Sequence, residues 1–521
     1  MYGLAKFNKT KSCLILILGI FLVATICLAN TLNIWFDEAY TLDTTSGTLR
    51  RAFSQAIIFE EQAPLYFIFI FLWQKIIGGI FFARLFSILS IGAAIYLSAD
   101  LSKRYLPGVN PLILPLLIAV NPFSIWAALE IRLYAFSIFL STVLLWLFYD
   151  GYLQDEDRYL KAQRYRWLFI LVACISLYTH YFLGSILVAN GLILLIFRQT
   201  KAWQDYLSHA VLILIISLPI VGMIIYQLSN LSDNIARSTA SDQPTILTYL
   251  IKGLQKSFGS FFLHGLPALT PQTWAGIRLA LFVVLLCSVL LNYRLIRPQI
   301  SLIWLMMIAM LIQFSVVFAV IEDLHYRHAS PMFIVSLMTM IGMCVAGSRY
   351  RWPMIKAYVL VNLTLSLICI GILYTPLAKP GDYRRVADYL MAHESKSQPI
   401  LVYNQEVSMA LSYYYTGQNI LLPLPKPIDY RSFNINDFLL TSPDQIDVVL
   451  SSAQQNATAE IWLVADNKVL KGQEVFEPSF KILNTYIGDH YKVIDHKLFY
   501  GTKLLKLTKK DANIDSVIYS R

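Results

Sequence analysis

The chain has 521 residues, 57% of them hydrophobic and only 14% charged, too few polar side chains to cover an ordinary soluble globule, so it reads as an integral membrane protein. Its formal net charge of +10 is uneven: from Pro376 onward 16 Lys and Arg face 16 Asp and Glu, and the whole excess lies before that point. Cations confined to the membrane half mark topology against anionic lipid and argue against a nucleic-acid-binding face.

Apolar runs of roughly 16 to 22 residues, about what a helix needs to cross a ~30 Å hydrocarbon core, recur as far as Thr375 and then stop. The first, Cys13 to Ala29, follows Lys6, Lys9 and Lys11 and lacks a small-x-small cleavage site. It reads as a transmembrane helix, not a signal peptide. All six cysteines (Cys13, Cys27, Cys174, Cys287, Cys344 and Cys369) lie inside such runs, with no disulfide framework or metal-ligand spacing.

Basic clusters serve as cytoplasmic markers. They are Lys6/Lys9/Lys11, Lys103/Arg104, Arg158/Lys161/Arg164/Arg166, Arg198/Lys201, Arg294/Arg297 and Arg349/Arg351/Lys356. Two spans must then separate each consecutive pair, and the runs 111–128 with 133–149, 167–182 with 183–197, 207–227 with 275–292, and 299–320 with 329–347 supply them. Between Lys11 and Lys103, however, lie three runs: 13–29, 64–82 and 83–99. The one that should not cross is "PLYFIFIFLWQKIIGG", which opens with Pro64, contains Gln74 and Lys75 and ends in Gly78-Gly79. It predicts an interfacial or re-entrant helix on the outer side.

With a last span at 356–374, the expected fold class is an α-helical polytopic membrane protein of about eleven transmembrane helices plus outer-face interfacial helices. Its N-terminus is cytoplasmic, an outer loop covers 30–82, the membrane domain runs over 1–375, and a soluble outer domain covers 376–521. In that last domain "DYRRVADYLMAHE" suits an amphipathic helix, "PILVYN" a strand, "SMALSYYYTG" a helix stopped by Gly417, and "AEIWLVAD" a buried strand, an α/β pattern without a Gly-rich phosphate loop.

This topology puts the unusual polar residues at one side, opposite the basic clusters. Asp37 and Glu38 follow the first span in "NIWFDEAYTL", and Glu60 and Glu61 precede the interfacial helix. "ALEIRLYAF" adds Glu130, Arg132 and Tyr134, "YTHYF" adds His180 and Tyr181, and "IEDLHYRHASP" adds Glu322, Asp323, His325, Tyr326, Arg327 and His328. Taken singly, an acidic pair after a span is ordinarily a solvated loop, an interfacial arginine a snorkelling anchor, and a His beside aromatics a boundary cluster. Arg84 resists that treatment, because a cation near a helix start opposes the dipole and is costly in lipid. Together they suit an outer cavity in which Asp37 and Glu61 work side by side. There arginines neutralise a lipid-linked phosphate and a carboxylate polarises a hydroxyl arriving from water.

The same residues resemble the membrane-embedded GT-C glycosyltransferases of the protein O-mannosyltransferase, aminoarabinose transferase and RgtA/B/C/D-like group (glycosyltransferase family 39-like). The matches are "FDEAY", "EEQAPLYFIF", "ARLFSIL", "NPFSIWAALEIRLYAF", "THYF", "YRHASP" and "KPGDYRRVADYL", in order over nearly the whole chain. The resemblance implies a GT-C fold in a bacterial plasma membrane. It also implies inverting transfer of a hexosyl or pentosyl group from a polyprenyl-phosphate donor to a lipid, glycan or protein acceptor on the outer face. By position it makes Asp37 the general base, Glu38 its neighbour, and Glu61 a second acid that in some relatives holds a divalent cation. Arg84, Arg132 and Arg327 become candidates for the donor phosphate, with Tyr40, Glu130, His180, Tyr181, His325 and Tyr326 nearby. Tyr40 and Gln62 stand where aminoarabinose transferases carry basic residues, Ala63-Pro64 replaces the usual Pro-Pro, and no sugar-binding-type lumenal domain is inserted. These departures count against aminoarabinose transfer and eukaryotic-type protein mannosylation as the specific activities and leave a bacterial plasma-membrane enzyme of the broader group.

Two other classes compete. A transporter or flippase for a lipid-linked substrate places polar residues near the bilayer midplane and often shows two related halves. A membrane scaffold would depend on its outer domain and be indifferent to Asp37 and Glu61.

Overall fold

A computed structural model describes residues 2–153, 159–238, 298–320, 326–346, 351–374, 381–431, 434–452, 460–466 and 476–510. It divides into two compact units, one of Met1–Asn30, Thr44–Ile57 and Glu61–Leu373, the other of Thr31–Asp43, Ile58–Glu60 and Tyr374–Arg521.

Along the chain come α1 (Tyr2–Thr31), α2 (Phe36–Ser46), α3 (Leu49–Ile58), α4 (Leu65–Gln74), α5 (Ile80–Tyr105), α6 (Ile113–Val120), α7 (Pro122–Ala128) and α8 (Tyr134–Phe148). They are followed by α9 (Tyr159–Thr179), α10 (Gly184–Ile196), α11 (Thr200–Ile216), α12 (Leu218–Ser238), α13 (Pro298–Val320), α14 (Phe333–Ala346) and α15 (Arg351–Leu373). Among the described residues, 5 helices are long and apolar enough to cross a membrane, or 6 if the bent pair α11 and α12 is one span. The chain is a polytopic helical membrane protein.

Three apolar runs differ from a plain reading as single spans. The run 111–128 is two helices: Asn121 Oδ1 accepts from the Phe123 N–H at 2.9 Å, and Pro122 opens α7 at its first position. An Asn cap followed by proline starts a new helix wherever it falls. The run 207–227 bends by 58° between α11 and α12. The run from Pro64 yields only the ten residues of α4, ~15 Å of helix against a ~30 Å core. Gly79, at φ +109, then turns the chain into α5, a left-handed value that glycine alone adopts freely. The expected span 275–292 lies outside the described residues.

Small residues let the helices approach closely. In α5 the buried Ala83, Ser87, Ala94 and Ser98 accompany its packing along α8, the close approach that replaces hydrophobic drive in lipid. A Cβ on Gly92 would lie 3.4 Å from Leu18 Cδ1 and 3.5 Å from Leu22 Cδ2, so α1 rests on α5 there. Arg104, at the end of α5, ties it to the end of α8: its Nε and Nη2 reach Asp150 at 3.0 and 2.8 Å, and it also pairs with Asp100. Trp146 Nε1 donates to the same Asp100 at 3.0 Å.

The second unit holds an α/β sheet. Its elements are α16 (Tyr383–His393), β1 (Ile400–Tyr403), α17 (Gln405–Ser412), β2 (Leu421–Leu424), α18 (Asp444–Ser452), β3 (Glu460–Asp466), α19 (Glu477–His490), β4 (Tyr491–Phe499) and β5 (Thr502–Lys509). The order is β2-β1-β3-β5-β4, parallel from β2 to β3 and antiparallel at β5 and β4. All four residues of β1 are buried, as a strand covered on both faces requires. Leu401, Leu463 and Leu507 lie in one core cluster, each contributing roughly 1.5–3 kcal/mol by burial. The segments expected as a helix at 383 and as strands at 400 and 460 form those elements; the helix expected over 408–417 with Gly417 as its stop instead runs Gln405–Ser412 and ends before the Tyr413-Tyr414-Tyr415 run, and β2, β4 and β5 had no counterpart among the expected elements.

Candidate active site

The acidic pair after the first span is not a solvated loop: Asp37 is 8% exposed and Glu38 0%. Both sit in the first turn of α2, where the helix dipole favours negative charge. The Glu38 and Ala39 N–H groups donate to the Trp35 carbonyl at 3.1 and 3.0 Å, and Glu38 Oε2 accepts the Trp35 N–H at 3.4 Å. Trp35 is thus the cap residue, and Glu38 closes the return half of a capping box.

This segment belongs to the second unit, and its contacts there are specific. Asn33 Nδ2 donates to Asp382 Oδ1 at 3.2 Å, and Asn33 Oδ1 accepts from the Arg384 N–H at 3.3 Å. The Ile34 N–H donates to the Tyr414 hydroxyl at 2.8 Å, and the Tyr40 hydroxyl donates to Glu406 Oε1 at 2.7 Å. Tyr40 also packs with Phe59 and Phe438, with Phe36 and Tyr430 against them. Glu60, like Phe59, falls in this unit.

Glu61 opens the next stretch of the first unit. It holds φ +51, uncommon for a residue with a side chain. Burial pushes its carboxyl up to about 7, because a desolvated carboxylate is disfavoured against the neutral acid. The loop is held by Gln227 of α12, whose Nε2 donates to the carbonyls of Ile57 at 3.1 Å and Gln62 at 3.4 Å.

The candidate arginines Arg84, Arg132 and Arg327 are buried or half-buried. Arg84 is wholly buried in α5, and its Nη1 donates to the Ala29 carbonyl at 3.0 Å. Ser87, one turn on, donates to the Glu130 carbonyl at 2.7 Å. Glu130 and Arg132 are both buried between α7 and α8. The Arg327 guanidinium lies over the Tyr134 ring at 5.8 Å, and His328 meets the same ring edge-on. His180 Nδ1 lies 3.5 Å from Ser137 Oγ, which accepts from Ser330 Oγ at 3.2 Å. Phe182 touches both His180 and His328.

The structure therefore brings Tyr134, Arg327, His328 and His180 into one cluster, and assigns Asp37, Glu38 and Tyr40 to a different unit from Glu61, Arg84, Arg132 and Glu130. Tyr181 opens a short 3-10 turn over Tyr181–Leu183, and Tyr326 begins another at Tyr326–Met332. His325, Glu322 and Asp323 lie outside the described residues. Gln227, Ser137, Ser330 and Glu406 were missed; only Gln227, a lone amide in an apolar run, left a trace in the sequence. Among the described residues no group of three or more His, Cys, Asp or Glu is placed to hold a metal ion, and Asp37 and Glu61, the pair expected for a divalent cation, fall in different units. A cavity of about 160 Å³ between Tyr149, Leu153, Ile193, Phe197 and Leu302 has none of the candidate residues in its lining.

No family model matches the chain, and no curated protein matches it. Among solved structures it is similar to the crystal structure of ArnT from Cupriavidus metallidurans bound to undecaprenyl phosphate, at 13% identity and TM-score 0.47 over 95% of this chain and 98% of that one. ArnT in the apo state gives 11% and 0.43 over the same shares. A cryo-EM structure of a mutant arabinofuranosyltransferase AftD from mycobacteria gives 13% and 0.33, over 95% of this chain and 42% of that one. At these identities and TM-scores the likeness transfers no activity to this chain.

Proposed function

We propose that the protein is a membrane glycosyltransferase that moves a sugar, with inversion, from a polyprenyl-phosphate donor to an acceptor hydroxyl at the outer face of a bacterial plasma membrane. The observation that carries this reading is the burial of Asp37 and Glu38 in the first turn of α2, just after an apolar helix long enough to span a membrane. Buried carboxylates are retained where they are bonded or used. Asp37, which by position matches the catalytic acidic residue of the resembling family, is the proposed base, while Glu38 accepts the Trp35 N–H at the start of its own helix. In this reading the acceptor oxygen attacks the anomeric carbon, its proton passes to the Asp37 carboxylate, and the bond from that carbon to the phosphate oxygen breaks. The departing polyprenyl phosphate carries the negative charge, for which Arg84, Arg132 and Arg327 are the proposed counter-charges. Glu61, whose carboxyl titrates near neutrality, is the proposed second acid, suited to exchanging a proton. The donor carrier would belong to the chemical class of undecaprenyl phosphate, the lipid bound to ArnT.

The test is mass spectrometry of lipid-linked sugars and envelope glycans in a deletion strain carrying either the wild-type chain or Asp37→Asn. The donor should accumulate, and one envelope modification should vanish, in the deletion and in the Asp37→Asn strain alike. Near-normal transfer by correctly inserted Asp37→Asn would remove Asp37 as the base.

A further inference from the structure

A catalytic carboxylate acts only if its helix turn is held in place, and the contacts of α2 show what holds it. Tyr40 lies three residues after Asp37, on the neighbouring helix position of the same face. Its hydroxyl donates to Glu406 Oε1 at 2.7 Å, a bond to a carboxylate and so stronger than a neutral pair. Burial, with the Glu406 charge adding to it, holds the Tyr40 phenol well above its usual range, so it stays a donor. Glu406 is itself fixed. It lies in the first turn of α17, whose cap Asn404 accepts the Val407 N–H at 3.2 Å and donates from Nδ2 to Glu406 Oε2 at 3.4 Å. Asn404 directly follows Tyr403, the last residue of the buried strand β1. A continuous path thus runs from the sheet through Asn404 and Glu406 to Tyr40.

We propose that Glu406 is a positioning residue for Asp37, acting through the Tyr40 hydroxyl, so that the C-terminal α/β unit sets the geometry of the catalytic turn and is not merely a docking module. The proposal rests on the reading of Asp37 as base, and the experiment separates the two.

Full-length protein in detergent micelles is followed by amide hydrogen exchange for wild type, Tyr40→Phe, Glu406→Ala, Glu406→Gln, Asp37→Asn and the Tyr40→Phe/Glu406→Ala pair. The same variants are scored in cells for accumulation of lipid-linked sugar. Tyr40→Phe and Glu406→Ala should each speed exchange over residues 36–41 about tenfold or more, while β1 and β3 stay protected. The double variant should do no more than either single one. Glu406→Gln keeps an acceptor for Tyr40 and should behave as wild type in exchange and in cells, a rescue that a purely structural carboxylate elsewhere would not show. Additive effects, or wild-type exchange and no accumulation in Glu406→Ala, overturn the proposal while leaving Asp37 as base. Normal transfer in Asp37→Asn, with the Tyr40 and Glu406 exchange effects intact, overturns the base assignment instead.

Discussion

Arg84 Nη1 donates to the backbone carbonyl of Ala29 at 3.0 Å, across 55 residues of sequence. Ala29 lies in the last turn of α1 (Tyr2–Thr31), where helix carbonyls lack partners of their own and a cation meets the negative end of the dipole. The charge that looked costly at the start of α5 is thereby matched by the end of α1. Replacing Arg84 by Met leaves that carbonyl without its donor, at a cost of about 1–3 kcal/mol. Thermal unfolding of the solubilised protein should therefore show a lower midpoint for Arg84→Met, and an unchanged midpoint would show that the bond carries no stability.

The Glu61 carboxyl sets a pH dependence whose sign follows from the direction of its shift. Its pKa rises from the ordinary 4.5 to about 7 on folding, through burial. As pH rises the unfolded chain gives up this proton first, so the folded protein loses stability across that window and is level above it. Glu61→Gln has no proton to lose. Its unfolding midpoint should match wild type below pH 4.5, gain on it up to about 7, and hold that gain beyond. A difference that is constant with pH would refute the assignment.

Asp150 and Arg104 form a two-pronged pair at 2.8 and 3.0 Å, with 4% and 17% of their side chains exposed. Removing Asp150 takes the two-pronged partner from Arg104 and leaves the half-exposed Asp100 to offset its charge, so the cost of a fully uncompensated pair, about 3–5 kcal/mol, is an upper bound. Asp150→Ala should depress folded yield in membranes strongly, and Asp150→Ala combined with Arg104→Met should recover much of it. Equal yields for the single and double variants would mean that the pair is not coupled.

Asn190 of α10 is fully buried, and among the described residues neither of its amide atoms has a hydrogen-bond partner. An unsatisfied amide costs about 1–3 kcal/mol, so Asn190→Leu should raise the unfolding midpoint and leave donor accumulation at wild-type levels. A fall in either stability or transfer would mean that the amide is used.

Much of the helical skeleton was legible because it depends on runs of neighbouring residues. The runs at 13–29, 83–99, 133–149 and 356–374 correspond to α1, α5, α8 and α15. The break at Asn121-Pro122 carries a local signature, a cap residue followed by a first-position proline, which the reading of 111–128 as one span passes over. Treating those clusters only as markers also concealed their partners: Arg104 is bound by Asp150, and Arg166 pairs with Asp205 at 2.6 Å. The capping role of Glu38 had no sequence signature, since its cap residue is Trp35, not Ser or Thr. Nor could any spacing show that Gln227 grips the loop around Glu61 from 165 and 170 residues away.

By itself, the sequence determined that this chain is a membrane protein with an α/β tail, and that acids and arginines cluster at the ends of its apolar runs, because hydropathy and periodicity act over a few helical turns. Only the tertiary structure decided that the "FDEAY" segment is built into the C-terminal unit, that Glu38 accepts the Trp35 N–H at the start of its helix, and that Tyr40 meets Glu406 across 366 residues. A hydrogen bond specifies two atoms a few ångströms apart and places no demand on the chain between them, so the partners leave no pattern in the sequence to be read.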